Sequence, residues 1–309
     1  MKKNINNILL NSGILFFTFL IFYYSSITTN TFNETLLFIL KVILPSLFPF
    51  MIFINFILLS NCIDYLSLLF KPIGKLFKLS GYGITCVIAS LLGGFPYSAI
   101  LTASFLKENK IRLKEAERLI ISTFFPSFSF LFISLKSLDK LFILNIIALY
   151  LSSFLVLFFT SFLKKYQDEE KMIAPTIIKE NQFTSIYFTV MQNSISSIFS
   201  ISFCILFFRL ISANMQIFIK NPQIITVISG LLEFSSSSIE ILSQDHKSFW
   251  DYLLLMNILS FSSLSILFQS YYYLKDTKIK MKKLLSSRIT ICIISSIIYT
   301  IFYAVFIGF

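Results

Sequence analysis

The stretch Leu91-Leu92-Gly93-Gly94-Phe95-Pro96-Tyr97-Ser98-Ala99 decides how this chain folds. It interrupts an apolar run, residues 83–106, that is otherwise long enough to cross a bilayer as one helix. Two glycines and a proline within four residues break a helix, because glycine is entropically costly there and proline lacks the amide and crowds the preceding turn. Hydrocarbon offers no water to the freed backbone groups, so a break at that depth must face protein or a polar cavity. Broken helices of this kind are where transporters bind substrates and coupling ions. The break is expected to be half of a substrate site.

Composition sets the class. The chain has 309 residues, of which 56% are hydrophobic and only 13% charged, and its mean hydropathy is +0.81. A soluble domain carries roughly 25% charged residues. Several apolar runs reach the length of a spanning helix, so the chain is an all-α polytopic membrane protein. The 38 phenylalanines follow the Phe-, Ile-, Lys- and Asn-rich bias of an AT-rich coding sequence. The net charge of +11 reads as membrane topology, with no nucleic-acid partner. Cys62, Cys86, Cys204 and Cys292 are scattered without metal-ligand spacing, and the single His246 has no ligand partner in sequence. No cofactor is expected. Neither GxSxG, HExxH, a P-loop nor GxGxxG occurs, so no enzyme is expected either.

The positive-inside bias then orders the segments. Lys2 and Lys3 precede an uncleaved helix at residues 8–27, and residues 36–60 span with Pro45 and Pro49 as kinks. Residues 64–79 place Lys71, Lys75 and Lys78 among leucines and phenylalanines, the pattern of an amphipathic helix at the interface. A second basic cluster, Lys107, Lys110, Arg112, Lys114 and Arg118, follows the broken run. A spanning helix would put one cluster outside; a re-entrant hairpin turning at Gly93–Pro96 keeps both in the cytoplasm. Spans follow at 119–135, broken at Pro126, and at 141–163. A charged linker at 164–182 divides the chain.

The second half offers a span at 184–211, an apolar run at 224–242 broken by Ser235-Ser236-Ser237-Ser238 beside Glu233, and spans at 252–274 and 289–309. On this topology 20 of the 26 lysines and arginines are cytoplasmic and four are outside, with Lys41 and Arg209 inside segments. Each half reads span, re-entrant hairpin, span, span, in opposite orientation. The expected fold is thus an inverted repeat: residues 1–30 an extra N-terminal helix, 31–163 the first repeat, 164–182 the linker, 183–309 the second repeat. Inverted repeats with broken helices are a transporter architecture.

The candidate substrate-binding residues are Gly93, Gly94, Phe95, Pro96, Tyr97 and Ser98 at the first hairpin, with Glu233, Ser235, Ser236 and Gln269 in the second half. Pro96 suits the first turn of a half-helix whose positive end, with the hydroxyls of Tyr97 and Ser98, attracts a small anion. Close helix packing is the blander role for Gly93 and Gly94. An ionisable residue at membrane depth is expensive, so Glu233 is expected to carry a proton, hold a cation or pair with Arg209. Lys41 and Arg209 either meet an anionic substrate or snorkel. Thr123, Pro126 and Ser127 put polar groups on the span after the first hairpin, as Gln269 does after the second. Glu117 and Arg118 are expected to cap or pair at the cytoplasmic surface.

One set of motifs runs through most of the chain: Leu44-Pro45-Ser46-Leu47-Phe48-Pro49, Phe70-Lys71-Pro72, Leu79-Ser80-Gly81, Gly93-Gly94-Phe95-Pro96, Glu117-Arg118-Leu119, Gly230-Leu231-Leu232-Glu233, the serines from Ser260 to Gln269, and Arg288. In this order they resemble the YlbJ-type sporulation integral membrane proteins. These group with the nucleoside-recognition or gate-domain families, whose fold is similar to part of the concentrative nucleoside transporters. The resemblance implies a multi-pass protein of the bacterial cell membrane, in the mother-cell-derived outer forespore membrane. It also implies transport of dipicolinic acid, the activity associated with the stage V sporulation protein V of that family. Thr123-Phe124-Phe125-Pro126 and the four serines after Glu233 depart from the family pattern. A nucleoside or other small-solute permease and a non-transporting assembly factor are the alternatives. Partners are a small anionic substrate and the lipid bilayer, with a homo-oligomer or other sporulation membrane proteins left open.

Overall fold

A computed structural model describes residues 2–60, 62–135, 139–163 and 183–308; the linker expected at 164–182 lies outside the described residues. Those residues are all helical or connecting, with no strand among them. Among the described residues, five helices are long and apolar enough to cross a membrane, or six if one bent pair counts as one span. The chain is a multi-pass membrane protein.

Helix α1 (Lys2–Tyr23) ends one residue before α2 (Ser25–Phe38), so the helix expected at residues 8–27 stops at Tyr23. Helix α2 continues through a π turn (Ile39–Ile43) into α3 (Leu44–Leu59), forming one 35-residue helix. The wide turn sits where Pro45 removes an amide and crowds the preceding carbonyls; the Leu44 amide reaches back five residues to Ile39 instead. The expected boundary at residues 30 and 31 therefore falls inside a helix.

Helix α4 (Cys62–Leu76) meets α5 (Gly81–Gly93) at 94°. Tyr65, Leu68, Leu69, Ile73 and Leu76 are exposed on α4, while Asp64 and Ser67 turn inward. A helix with its apolar face outward at a right angle to its neighbour fits an interfacial position. The corner is tight: a Cβ on Gly81 would lie 2.2 Å from the Ser67 carbonyl oxygen. Glu115 secures it by accepting from the Ser80 amide at 2.7 Å and hydroxyl at 2.8 Å, while Ser80 caps α5 by accepting from the Gly83 amide.

Helix α6 (Phe95–Lys107) follows α5 after Gly94 alone. Gly94 has φ +74°, and a Cβ there would stand 2.8 Å from the Ser127 amide nitrogen, so the turn needs glycine for conformation and for room. The pair folds back on itself. Cys86 Sγ and Thr102 Oγ1, each eight residues from Gly94, are 3.4 Å apart. In a straight helix those residues would be about 24 Å apart. The break at Gly94 is thus a helical hairpin.

The span expected at 119–135 is corrected. Helix α7 (Leu113–Ser122) ends before an unwound stretch at 123–127, and only a short helical stretch with a π turn (Phe130–Ser134) follows. Thr123 turns its hydroxyl back to the Leu119 carbonyl and Pro126 has no amide to offer, so the helix cannot continue. The remaining helices are α8 (Lys140–Thr160), α9 (Phe183–Met215), α10 (Pro222–Leu232), α11 (Phe234–Leu242), α12 (Phe249–Phe261), α13 (Ser263–Leu274) and α14 (Met281–Phe306). Helices α12 and α13 form one 26-residue span, interrupted at Ser262 and Ser263 with φ +79° and +59°. Helix α14 starts eight residues earlier than the span expected at 289, which makes Arg288 a buried helical residue instead of a loop charge.

Two contacts put the basic stretches after α6 and α13 on the same side of the molecule: Lys107–Asp276 at 3.9 Å and an ion pair of Lys283 with Glu117. Far from them, Lys140 at the start of α8 donates to the Phe306 carbonyl at the end of α14.

Candidate functional site

The starts of α6 and α11 meet. Phe95, first residue of α6, lies edge-on to Phe234, first residue of α11, with ring centroids 5.3 Å apart. Phe124 from the unwound stretch packs on Phe95 at 5.4 Å, and Phe130 packs on Phe234 at 5.0 Å. Gly93, Gly94 and Phe95 share a small cavity with Phe234 and Ser235. Its volume is about 30 Å³, room for a water and not for an aromatic solute. The tips form a closed, mostly apolar plug.

Polar space lies on either side of it, and α9 lines all three regions in turn. Asn193, Ser197 and Ser200 border one cavity of about 360 Å³. Ile201 and Ile205 border the plug. Arg209, Ser212 and Gln216 border a second cavity of about 350 Å³. The long helix α2–α3 runs the opposite way, presenting Glu34 to the second cavity, Ile43 and Leu47 to the plug, and Asn55 to the first. Both cavities are of the size that takes a small ligand. The first, here called the hydroxyl vestibule, is lined by serines, asparagines and Tyr272 and Tyr273, with no charged side chain among the described lining residues. The second, the acidic vestibule, is lined by Glu34, Glu233 and Glu240 against Arg209, whose guanidinium also lies 5.2 Å from the Phe38 ring.

Each expected site residue has a definite place. Glu233, 1% exposed, is the N-cap of α11. Its Oε1 accepts from the Ser235 amide at 2.9 Å and hydroxyl at 2.6 Å, and its Oε2 from the Ser236 amide at 2.9 Å and hydroxyl at 2.8 Å. A carboxylate on four donors at a positive helix end is well compensated, which explains how the charge is tolerated. The hydroxyls of Ser235 and Ser236 are thereby engaged, although Ser236 and Glu233 still border the acidic vestibule. No ion pair between Glu233 and Arg209 is present.

Pro96 occupies the first turn of α6, as its spacing implies. Ser98 bonds Thr123 across 2.7 Å, tying the first tip to the unwound stretch. Tyr97, wholly buried, donates to the Met51 carbonyl and accepts from Asn55. Gln269 lies on α13 between Ile266 at the plug and Tyr273 at the hydroxyl vestibule; its Nε2 donates weakly to Ser265 at 3.4 Å, and its Oε1 makes no hydrogen bond with a described residue. The polar groups expected at the tips thus mostly bind the protein itself.

Two residues that matter were read differently from sequence. Arg288 is fully buried; it donates to the carbonyls of Phe124 and, at 2.7 Å, Ile121, and its guanidinium lies 5.1 Å from the Phe124 ring. It satisfies carbonyls that the break in α7 leaves without helical partners. Arg118 caps as expected, through the Lys78 and Phe77 carbonyls at the chain end of α4, but at 1% exposure it does so from a buried position and not at the surface. Asn55 was not singled out at all. It donates to Tyr97 Oη at 3.3 Å and to Ser194 Oγ at 2.9 Å while bordering the hydroxyl vestibule. One asparagine within an apolar span is its sequence signal.

Comparison with known proteins gives one distant likeness. The chain is 29% identical over 118 residues to the sporulation integral membrane protein YlbJ of Bacillus subtilis (strain 168). The aligned part is 38% of this chain and 29% of that protein, so the likeness covers less than a third of the relative. No family model matches the chain, and no solved structure does. The likeness supports a distant relation to YlbJ-like integral membrane proteins.

Proposed function

We propose that this chain is a sporulation transporter that moves a small carboxylate solute, dipicolinate first among the candidates, between the two vestibules past the paired tips. The observation that carries the reading is the contact of Phe95 with Phe234 between two polar cavities bordered by successive turns of α9. A solute in one vestibule crosses to the other only when the tips part, so the contact serves as a gate, which alternating access needs.

The asymmetry of the vestibules supports a direction. The hydroxyl vestibule lies where α3, α6 and α13 approach the basic stretches and α9 begins, the side that the positive-inside bias makes cytoplasmic. Lysines near its entrance raise the local anion concentration, and its amides and hydroxyls are donors for carboxylate oxygens. The acidic vestibule repels the same anion and favours its release. On this reading the solute leaves the mother-cell cytoplasm across the outer forespore membrane. The two halves act as inverted repeats, and Gly93 to Ser98 with Glu233, Ser235 and Ser236 form the moving parts.

Dipicolinate efflux from proteoliposomes tests the transport step. Purified protein should release preloaded dipicolinate well above protein-free liposomes, and a deletion strain should make spores low in dipicolinate. Release no faster than from empty liposomes, with normal spore content, would remove the proposal. Uridine moved in place of dipicolinate would instead establish the permease alternative. An assembly factor predicts tolerance of changes at Phe95 and Phe234 with sensitivity at the surface around Lys107 and Lys114.

A further inference from the structure

We propose that Asn55 is a latch that couples a carboxylate in the hydroxyl vestibule to release of the first tip through Tyr97. The inference rests on the vestibule being the solute's entry site, as above, and assigns the residue that senses it.

The hydrogen-bond network fixes the amide. The Met51 carbonyl, 3.3 Å from the Tyr97 hydroxyl, can only accept, so the hydroxyl donates there and its oxygen takes an N–H from the Asn55 NH2, also at 3.3 Å. The second N–H of that NH2 goes to Ser194 Oγ. Both protons of one side chain thus tie α3 to α6 and to α9. The bond to Ser194 is 2.9 Å, while the bond to Tyr97 is 3.3 Å, beyond the usual range and the weaker of the two.

Asn55 is 5% exposed, and the little it exposes is on the vestibule wall near Ser197 and Tyr273. A carboxylate oxygen is a stronger acceptor than a phenol oxygen, so a carboxylate bound there takes the N–H now held by Tyr97. Tyr97 stands three residues after Gly94, on the first turn of α6. Its loss of that bond weakens the hold on the turn whose Phe95 closes the plug. Serines on α9, such as Ser197 and Ser200, supply further donors to the same anion. The ligand class is a small carboxylate; a neutral polar solute competes poorly for an N–H already bonded to oxygen.

The test uses full-length protein in lipid nanodiscs, with dipicolinate and uridine as probes. Calorimetry reads binding, and hydrogen exchange of the amides of Phe95, Tyr97 and Ser98 reads the tip. Dipicolinate should speed exchange there at least threefold in the wild type, and uridine should leave it unchanged. Tyr97→Phe should exchange fast with or without dipicolinate and bind it more tightly, because no bond need be broken first. Asn55→Ala should lose about tenfold in affinity, the worth of one charge-assisted bond, and lose the dependence of exchange on dipicolinate. Unchanged exchange in the wild type at saturating dipicolinate, or unchanged affinity in Tyr97→Phe, overturns the latch, as does uridine acting like dipicolinate. Liposomes that fail to transport while these responses hold would overturn the transport reading and leave the latch standing.

Discussion

Phe95 and Phe234, 139 positions apart in sequence, lie edge to face at 5.3 Å where two broken helix pairs meet. Each ring begins a helix, α6 after Gly94 and α11 after Glu233. The rings therefore move with the two helix starts, and anything that turns either start separates them.

Truncating one ring should open the plug without dismantling the fold. Phe95→Ala removes contacts to Phe124 and Phe234 together, and loss of a buried aromatic costs about 3–5 kcal/mol. The space that appears enlarges the small cavity already present between the tips. Dipicolinate should then leak down its gradient several times faster than through the wild type, which efflux from liposomes would read directly. A tight variant would show that the barrier lies elsewhere.

Gly94→Ala should be worse for stability despite adding only a methyl group. The residue sits at φ +74°, and its Cβ would stand 2.8 Å from the Ser127 nitrogen, a backbone atom that cannot rotate aside. Strain in the left-handed region adds about 1–3 kcal/mol to that overlap. A fall of several degrees in the melting temperature in detergent is expected; Gly93→Ala, by contrast, meets first the Tyr97 ring and the Ile54 methyl. An unaltered melting temperature in Gly94→Ala would mean the hairpin has another turn available.

The first tip was legible in the sequence because Gly-Gly-x-Pro is a strong interruption of an apolar run, and the second because an acid and four serines are conspicuous in one. Charge counting put the basic stretches after α6 and α13 on one side, and the Lys107–Asp276 and Lys283–Glu117 contacts hold them together there. The break at Ser262 and Ser263 was not legible: serine is a weak left-handed former, and Phe261 to Leu264 holds neither glycine nor proline. Arg288 was misplaced because a basic residue at the edge of an apolar run looks like a loop charge until its two carbonyl partners, 164 and 167 positions away, are located. Asn55 was missed for the same reason, its partners being 42 and 139 positions distant. Periodicity and charge report local structure; long-range polar contacts leave no pattern in a single chain.

Arg288→Lys should fail where a charge alone was needed to succeed. Two carbonyls, of Ile121 and Phe124, are held by separate nitrogens of one planar guanidinium, and the Phe124 ring lies against it. An ammonium is a single point donor on a flexible stem and cannot hold both while covering the ring. Each buried carbonyl left unpaired costs about 1–3 kcal/mol. Thermal unfolding of Arg288→Lys should come well below wild type and close to Arg288→Gln. A lysine variant as stable as wild type would show that charge, and not the fork, secures the unwound stretch.

Glu233→Gln separates capping from charge at the second tip. The carboxylate accepts two amides and two hydroxyls, and glutamine keeps one accepting oxygen while turning an NH2 toward the Ser236 amide or the Ser235 amide. Loss of an N-cap costs about 0.5–2 kcal/mol, a tolerable amount in a protein with this much buried helix. The variant should therefore remain in the membrane with a modestly lower melting temperature. Transport should nevertheless cease, because α11 no longer starts at a fixed point and Phe234 loses its register against Phe95. Glu233→Asn tests the same geometry without the charge: asparagine is a strong N-cap, so transport should largely survive there. Loss of transport in the asparagine variant as complete as in the glutamine variant would assign Glu233 to charge or proton movement instead of to the cap. The melting temperatures, membrane content and efflux rates of the two variants decide between these roles.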